Sequence, residues 1–580
     1  MDGRGGGTGE QLPGDPAAGE RTVGRVLGTV EATPMSFWVG VAGDRFLQLD
    51  DVVVTEREVP GLPGPVTMAG IVTQVTAVHE GASFGSDVFL IADGLLPAEP
   101  FEAAEVMTTR IEPEWFVPPA PGAPVRRAAE AERFAALCFD RMDRRLPIGL
   151  GRDGEALYAN LEFVDGTRGA HVNISGISGV ATKTSYATFL LHALFSSGVL
   201  GAEAANTKAL VFNVKGEDLL FLDQPNGRLD ARARDAYARL DLPATAFASF
   251  GVYAPPDPAD PTGAPNVRSR PTGVAAFWWT IAEFCTEELL PFVFADAEDE
   301  RQQYTMIVHN VTARLRRDGA PAGPDGAWVI DGEVLRTYDE LVEFVVERIS
   351  DDATAAHWAG RAVGAGTVNA FIRRLESSRR RLGALIRADL PDRPRRRIST
   401  SDAQVTLVDL HTLHDRAQRF VVGVTLKRTF EDKERTGSAR PLTFVVLDEL
   451  NKYAPREGSS PIKEILLDVA ERGRSLGVIL IGAQQTASEV ERRVIANCSI
   501  RVAGRLDPAE AGRPEYGFLP DIHRKRAVIA RPGTMFVSQP ELPVPLVVEF
   551  PFPAWATRVS ELAAPVAGPG TVPDDPFEGL

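Results

Sequence analysis

The sequence predicts an α/β protein with a doubly wound core, preceded by a small N-terminal β-barrel. Between residues 22 and 125, short runs rich in Val, Ile and aromatic residues are broken by Gly, Pro and Asp, a pattern typical of a small antiparallel barrel. From residue 166 onward, apolar strand-like runs alternate with helix-like segments. These runs are continuous rather than alternating, as expected for a parallel sheet covered by helices on both faces.

Changes in composition set the predicted boundaries. A Pro-rich segment followed by a helical pattern predicts a connector after the barrel. A mostly helical insertion is predicted to interrupt the core. In chain order we expect a disordered tail (1–21), the barrel (22–125), a connector helix (126–165), the first part of the core (166–218), the helical insertion (219–397), the second part of the core (398–555) and a C-terminal tail (556–580).

The overall composition excludes several classes of protein. With 44% hydrophobic and 24% charged residues, the chain is typical of a soluble globular protein. It has no run of 18 apolar residues and no secretory signal, so we expect no membrane span and a cytoplasmic location. Its three widely spaced cysteines predict neither a disulfide framework nor a zinc site. A net charge of −17 excludes a protein that coats nucleic acid with its whole surface, but not one with a locally basic groove.

The stretch from His171 to Phe195 has the order of parts of a phosphate-binding P-loop: a short strand, a loop of small residues, Lys-Thr-Ser and a helix. Its spacing differs from G-x-x-x-x-G-K-[ST], because the loop is one residue longer and Thr182 precedes the lysine. In a P-loop, Lys183 would reach phosphate and the Thr184 hydroxyl would face Mg²⁺. The alternative is an ordinary strand-to-helix turn with an exposed lysine. The candidate nucleotide-binding residues are Gly176, Ser178, Gly179, Val180, Ala181, Thr182, Lys183, Thr184 and Ser185.

A second stretch carries two adjacent acids at the end of an apolar run. Asp448 and Glu449 directly follow the four apolar residues 444–447. Ionised carboxylates at the buried end of a sheet are costly without a function. A nucleoside triphosphatase explains both, with Asp448 in the Mg²⁺ shell and Glu449 orienting or deprotonating the attacking water. The alternative is that Asp448 caps the next helix, but its pairing with a lysine-bearing loop favours the nucleotide site.

A third stretch joins a helix that carries Arg472 and Arg474 to an apolar strand that ends at Gln484 and Gln485. An amide at the end of a strand beside the acid-bearing strand can sense a γ-phosphate or position water. Polar residues also occur in ordinary strand-exit loops. The arginines are either solvated or fingers that reach the nucleotide of a neighbouring subunit.

Taken together and in order, these stretches resemble the HerA-type hexameric DNA translocases, relatives of the FtsK pumps. The matching pieces are "HVNISGISGVATKTS", "NVKGED", "VVLDELNKYAP", "ERGRSLGV", "LIGAQQTASEV" and "NCSIRVAGRLDPAE". The resemblance implies a RecA-like P-loop ATPase core that uses ATP and Mg²⁺, a homo-hexameric ring, and an N-terminal barrel like the HAS-barrel of that family. In one departure, Asn213 stands where the family usually has Asp.

The resemblance also implies a role for each matched residue. Lys183 would bind phosphate, Thr184 and Asp448 would hold Mg²⁺, and Glu449 would act on water. The remaining roles fall to Gln485 as γ-phosphate sensor, Arg474 as a finger reaching the neighbouring subunit, and Arg168 as a second candidate finger.

A basic cluster in residues 371–400 is the candidate DNA track. Its arginines face only three acids in this stretch, and no aromatic residues are interleaved for base stacking. Sequence-independent backbone contact is therefore expected, unless the arginines pair with acids elsewhere or lie at a subunit interface. The cluster comprises Arg373, Arg374, Arg379, Arg380, Arg381, Arg387, Arg393, Arg395, Arg396 and Arg397.

These observations predict an ATP-driven, ring-forming DNA translocase or helicase. DNA would pass through a central pore, and a separate nuclease or other effector would act with the ring in DNA-end processing or antiphage defence. Two alternatives remain open. One is an ATP-binding hexameric scaffold that activates an effector enzyme with little hydrolysis, and the other is a secretion-type ATPase that moves protein.

Overall fold

The computed structural model of the full chain describes residues 22–177, 183–294, 302–390 and 396–562. The chain divides into two compact units. Of the described residues, the first unit contains 22–145, 516–527 and 536–547, and the second unit contains the others.

The first unit is built on a closed six-stranded barrel with the strand order β1-β2-β5-β4-β3-β6, as the sequence predicts. All of its pairings are antiparallel. Small and β-branched side chains fill the interior, among them Val39, Val53 and Val106, which are completely buried. Its elements are β1 (Thr22–Val26), β2 (Ser36–Val41), β3 (Val52–Arg57), β4 (Val66–His79), α1 (Asp87–Ala92), β5 (Pro100–Glu112), β6 (Pro124–Arg127) and α2 (Glu130–Ala136).

A long hairpin extends from this barrel. β4 and β5 remain paired as far as His79 and Pro100, and α1 lies between them at the tip. The first half of β4 is buried in the barrel, whereas its second half is mostly exposed or half-buried. The outer part of the hairpin therefore contributes little to the barrel core.

The second unit alternates strands and helices around one large sheet. The elements of the chain after α2 are β7 (Arg145–Leu150), β8 (Ala156–Asn160), β9 (Val172–Ser175), α3 (Lys183–Ser196), β10 (Lys208–Asn213), α4 (Ala231–Arg239), β11 (Phe250–Ala254), β12 (Val274–Ala276), α5 (Ile281–Thr286), α6 (Leu290–Val293), α7 (Gln302–Asp318), β13 (Gly319–Pro321), β14 (Trp328–Ile330), β15 (Glu333–Leu335), α8 (Tyr338–Ser350), α9 (Ala355–Trp358), α10 (Ala365–Leu382), β16 (Val405–Asp409), α11 (Asp415–Thr436), β17 (Thr443–Asp448), α12 (Leu450–Tyr453), α13 (Pro461–Leu476), β18 (Val478–Gln484), α14 (Arg492–Ala496), β19 (Ile500–Ala503), α15 (Pro508–Ala511), α16 (Asp521–Val528), β20 (Thr534–Ser538) and β21 (Leu546–Glu549).

The large sheet has twelve strands in the order β12-β11-β16-β10-β17-β18-β9-β19-β20-β21-β7-β8. The eight strands from β12 to β19 pair in parallel. The residues of β9, β16, β17 and β18 are all buried, because helices cover both faces of the sheet. β18 lies between β9 and β17, and β10 lies beyond β17. This is the doubly wound α/β core that the sequence predicts.

The segment between β10 and β16 is only in part a separate helical region. β11 and β12 lie within it and extend the parallel sheet beside β16, although surrounding Pro and Gly residues obscure them in the sequence. The other elements are the helices α4 to α10 and a small antiparallel sheet, β13-β14-β15. Likewise, β7 and β8 follow α2 within residues 126–165 and join the large sheet.

Candidate functional site

The carboxyl ends of the central parallel strands border a cleft of about 260 Å³. Strand register brings these ends together, because Asp448 on β17 aligns with Ala483 on β18, and Gln484 aligns with Ser175 on β9. Crevices at the carboxyl ends of parallel strands are the usual ligand sites of open α/β sheets. The cleft is lined by Ile177, Lys183, Thr184, Ser185, Phe212, Asn213, Val214, Lys215, Asp218, Leu219, Asp448, Thr557 and Arg558.

The start of α3 delivers a buried lysine and a hydroxyl to this cleft. Lys183 is only 4% exposed, so the exposed lysine of the alternative reading is wrong. Burial lowers the pKa of the Lys183 ammonium to about 8, while Asp448 and Glu449 oppose that shift. Thr184 Oγ1 donates a 2.9 Å hydrogen bond to Asp448 Oδ2. The structure thus brings the lysine-bearing helix and the acid-bearing strand together, although 264 residues separate Thr184 from Asp448.

The acid pair has an unusual backbone. Glu449 lies in the left-handed region with φ 56°, which is uncommon for a residue other than glycine and stores strain. Its N–H donates to Asp448 Oδ1 at 2.8 Å. The Glu449 side chain is 30% exposed, whereas that of Asp448 is only 7% exposed. α12 begins after Glu449 without a side-chain cap, so the structure does not support a capping role for Asp448.

Lys215, in the loop after β10, contacts both acids. Its Nζ lies 3.1 Å from Asp448 Oδ2 and 3.3 Å from Glu449 Oε1. Burial alone would lower the pKa of Lys215, but the two carboxylates outweigh burial and raise it. The resemblance described in the sequence analysis includes the stretch "NVKGED" but implies no role for this lysine. Its position just after a strand that ends at the cleft was the available signal.

Asn213 holds this loop in place. Its Nδ2 donates to Gly216 O and to Asp409 Oδ1, both at 2.9 Å. Asp409 ends β16, is fully buried and also lies 2.8 Å from His411 Nδ1, and this hydrogen bond raises the pKa of His411. A carboxylate at position 213 would face another carboxylate. The amide of Asn213 avoids this repulsion and supplies the donor that Asp409 accepts.

A buried polar network joins β9 to β18. Gln484 Nε2 donates to Asn173 Oδ1 at 3.0 Å and to Ser175 Oγ at 2.8 Å. The predicted sensor Gln485 is the next residue and is exposed. The ring of His171 has a structural role, because its Nδ1 accepts a 2.9 Å hydrogen bond from the N–H of Leu480 on β18. Burial lowers the pKa of His171 to about 4, in keeping with a neutral acceptor.

The remaining loop candidates are only partly described. Gly176 donates its N–H to Gln484 O, and a Cβ at this position would lie 3.2 Å from Arg505 O, so glycine permits a close backbone approach. Ser185 lines the cleft in the first turn of α3. The other predicted loop residues, Ser178, Gly179, Val180, Ala181 and Thr182, lie outside the described residues.

The two candidate arginine fingers lie near the amino-terminal ends of β18 and β9, whereas the cleft lies at the carboxyl ends of the strands. Arg474 is in the last turn of α13, just before β18, and donates to Gly166 O at 2.9 Å and to Thr167 O at 2.8 Å. Arg168 precedes β9 and stacks on Phe163, with its guanidinium carbon 4.6 Å from the ring centroid. A strand rises about 3.3 Å per residue, so the length of β9 and β18 separates both arginines from the cleft of their own chain.

Half of the described arginines of the basic cluster have acidic partners. Arg379 binds three acids, Asp339, Glu343 and Glu376. Three other arginines of the cluster also have acidic partners, namely Arg387 with Asp389, and Arg396 and Arg397 with Glu283. Arg374 lies over the ring of Tyr304. Arg393 and Arg395 lie outside the described residues, and Arg373 and Arg380 are exposed on α10. The alternative of pairing with acidic neighbours thus holds for four of the eight arginines of the cluster that the structure describes.

The donor set at the cleft fits a magnesium-bound triphosphate. A threonine hydroxyl hydrogen-bonded to a carboxylate supplies the hard oxygen ligands that Mg²⁺ prefers, and Thr184 with Asp448 provides this pair. Lys183 adds a buried cation for phosphate oxygens. Glu449, adjacent to Asp448, provides a carboxylate for water.

Comparison with known proteins finds likeness in structure alone. The sequence matches no protein-family model and no curated protein. The structure is similar to VirB4 of Thermoanaerobacter pseudethanolicus, with 15% identity over 70% of this chain and 96% of that chain and a TM-score of 0.41. It is also similar to the plasmid coupling protein TrwB in complex with ADP and Mg²⁺, with 11% identity over 68% of this chain and 88% of that chain and a TM-score of 0.42.

A third similar structure matches a much smaller part of this chain. The genome packaging NTPase B204 from Sulfolobus turreted icosahedral virus 2, in complex with AMPPCP, is 11% identical over 25% of this chain and 68% of that chain, with a TM-score of 0.19. Within the described ranges of the present chain, no helix has both the length and the apolar character needed to cross a membrane.

Proposed function

We propose that this protein is a ring-forming DNA translocase or helicase that is driven by its own hydrolysis of Mg²⁺·ATP. One observation carries the proposal: the Thr184 hydroxyl is hydrogen-bonded to Asp448 Oδ2 beside the buried Lys183, at the carboxyl edge of the sheet. A lysine, a hydroxyl and a carboxylate in this arrangement are the parts that position a triphosphate and its metal for in-line displacement.

Each residue has a definite task in the proposed reaction. Mg²⁺ would neutralise charge on the β- and γ-phosphates, held by the hydroxyl of Thr184 and the carboxylate of Asp448. Lys183 would bind phosphate oxygens, and its burial strengthens that attraction because little water competes. Glu449 would orient the attacking water and accept its proton.

ATP turnover with and without duplex DNA tests this function. Wild-type protein should hydrolyse ATP, faster with DNA, and Glu449→Gln should lower turnover by at least about 100-fold while retaining nucleotide binding. Glu457→Gln is a matched control, because Glu457 is exposed and lies in the loop after α12, outside the cleft. An inactive wild-type protein, or equal turnover for both variants, would remove the motor proposal.

The same experiments separate the alternatives. A scaffold that binds ATP to hold an assembly together would bind nucleotide with negligible turnover. A secretion-type ATPase would hydrolyse ATP without stimulation by DNA. Stimulation by DNA that weakens steeply as salt is raised would favour contact with the phosphate backbone and hence the translocase.

A homo-hexamer and a trans arginine finger form the next part of the proposal. Arg474 and Arg168 lie at the sheet edge away from the cleft of their own chain, so either could complete a nucleotide site only in a neighbouring subunit. Passage of DNA through a central pore would follow from such a ring. The exposed Arg373 and Arg380 on α10 are the cluster members that we propose contact phosphates.

An effector protein, such as a nuclease, is the proposed partner, and the hairpin tip is its proposed docking surface. Phe84, Phe89 and Leu95 at this tip are each more than 70% exposed. Residues 58–109 contain no Lys or Arg, so the tip is apolar and acidic. These features fit an apolar cleft with a basic rim. A Phe84→Ser, Phe89→Ser double variant should lose the effector but keep ATP turnover, and unchanged effector binding would exclude this surface.

A further inference from the structure

Lys215 occupies a position that the proposed ATPase reaction does not explain. Its ammonium bridges the two carboxylates assigned to metal and water, with Nζ 3.1 Å from Asp448 Oδ2 and 3.3 Å from Glu449 Oε1. The Lys215 side chain is 38% exposed, so water reaches the bridge. The single positive charge of this ammonium contacts both acids and partly compensates their combined charge.

The backbone of this loop is fixed, so only the side chain is free to move away. Asn213 Nδ2 donates to Gly216 O, which closes the turn around Lys215, and also to Asp409 Oδ1 on the neighbouring strand. Gly216 adopts φ 57°, a conformation that glycine takes without strain. The Lys215 ammonium is therefore held near the acid pair by a braced turn.

Mg²⁺ and the Lys215 ammonium would need the same carboxylate oxygen. Asp448 Oδ1 already accepts the N–H of Glu449, while Oδ2 accepts from both Thr184 Oγ1 and Lys215 Nζ. Mg²⁺ binds oxygen at about 2.0–2.1 Å in near-ideal octahedral geometry, and a second cation close to a shared oxygen repels it. An ion held by Thr184 Oγ1 and Asp448 Oδ2 would therefore compete with Lys215 for this oxygen.

We propose that Lys215 is a positioning residue that competes with Mg²⁺ for Asp448 and releases Glu449 only when the metal–nucleotide complex binds. This inference rests on the proposed function. It gives the acid pair a cationic partner in Lys215, and it makes nucleotide binding the event that frees Glu449 to act on water. The ion pairs of Lys215 with Asp448 and Glu449 thus set the Mg²⁺ concentration at which nucleotide binding is half-maximal.

The experiment measures binding of a fluorescent ATP analogue to the full chain as Mg²⁺ is titrated. Lys215→Met removes the charge at similar length, so the Mg²⁺ concentration at half-maximal binding should fall by about five- to tenfold. Lys215→Arg keeps a cation and should remain near wild type. Lys208→Met is the matched control, because Lys208 is half-buried at the opposite end of β10 and should leave the Mg²⁺ requirement unchanged.

The possible outcomes separate this inference from the proposed function. If wild-type protein binds no nucleotide at any Mg²⁺ concentration, the proposed function fails. If wild-type protein binds nucleotide and Lys215→Met has an equal or higher Mg²⁺ requirement, the competition is refuted and the nucleotide site stands. Lys215→Gln replaces the Met variant if the latter does not fold, with the same lowered requirement expected and the same criterion for refutation.

Discussion

Replacing Asn213 with Asp tests whether the loop that carries Lys215 needs an amide. The Asn213 amide donates 2.9 Å hydrogen bonds to Asp409 Oδ1 and to Gly216 O. Asn213→Asp exchanges this donor for an acceptor, and two carboxylates then meet where the Asp409 side chain is fully buried. The structure predicts a large loss of stability.

The magnitude follows from the spacing of the two groups. Unit charges about 4 Å apart repel by about 4 kcal/mol at an effective dielectric constant of about 20. At lower pH the carboxylate pair of the variant reduces this cost by holding a proton, so the pKa of the pair lies above that of a free carboxyl. A folded-state pKa above the unfolded value means that stability is lost as pH rises between the two. The free energy of unfolding should thus fall by about 4 kcal/mol above pH 7 but by only about 1.5 kcal/mol at pH 5.

Urea denaturation at pH 7.5 and pH 5, followed by tryptophan fluorescence, measures this difference. The double variant Asn213→Asp, Asp409→Asn exchanges amide and carboxylate and should recover much of the stability at pH 7.5, because one donor again faces one acceptor. A single variant as stable as wild type at pH 7.5, or equally destabilised at both pH values, would show that the 213–409 contact does not carry the assigned energy.

Three further predictions concern metal, ring and DNA. Thr184→Val should weaken Mg²⁺-dependent nucleotide binding by about 10- to 100-fold in a metal titration, whereas Thr184→Ser should retain it. Arg474→Ala should lower ATP turnover by about 10³-fold in assembled protein at unchanged nucleotide affinity, and unchanged turnover would exclude this finger. Arg373→Glu with Arg380→Glu should reduce DNA affinity at least about tenfold in a salt-controlled binding assay, whereas Arg379→Gln should lower the melting temperature and leave DNA affinity unchanged.

The sequence was sufficient to predict the core of the fold and to predict that the lysine-bearing loop and the acid pair lie close together. Apolar runs that end in Ser175 and Asp448 indicate parallel strands, and parallel strands place their carboxyl ends at one edge. The lysine and the acids could therefore be expected to converge without knowledge of the strand order. The assignments of phosphate, metal and water contacts remain predictions until ligand binding is measured.

The contacts made by Lys215 and Asn213 could not be predicted in the same way. The loop "NVKGED" shows a lysine, but its partner depends on β10 lying directly beside β17. The Asn213–Asp409 hydrogen bond joins residues 196 positions apart and requires β10 to lie beside β16 as well. Local periodicity carries no information on lateral strand order. The partners of the basic cluster were hidden for a related reason, because Glu283 precedes Arg396 by 113 residues.

The charge balance of the cleft links the nucleotide site to the proposed ring. Lys183 and Lys215 face Asp448 and Glu449, so two cations meet two anions without any ligand. Mg²⁺·ATP adds net negative charge, and the charge spread over the γ-phosphate must be stabilised as the bond to it breaks. Helix α3 contributes its positive end, but that partial charge is small and fixed. Arg558 of the same chain lines the cleft but is paired with Asp218. An arginine supplied by a neighbouring subunit is therefore the proposed additional cation, and it would tie hydrolysis to assembly.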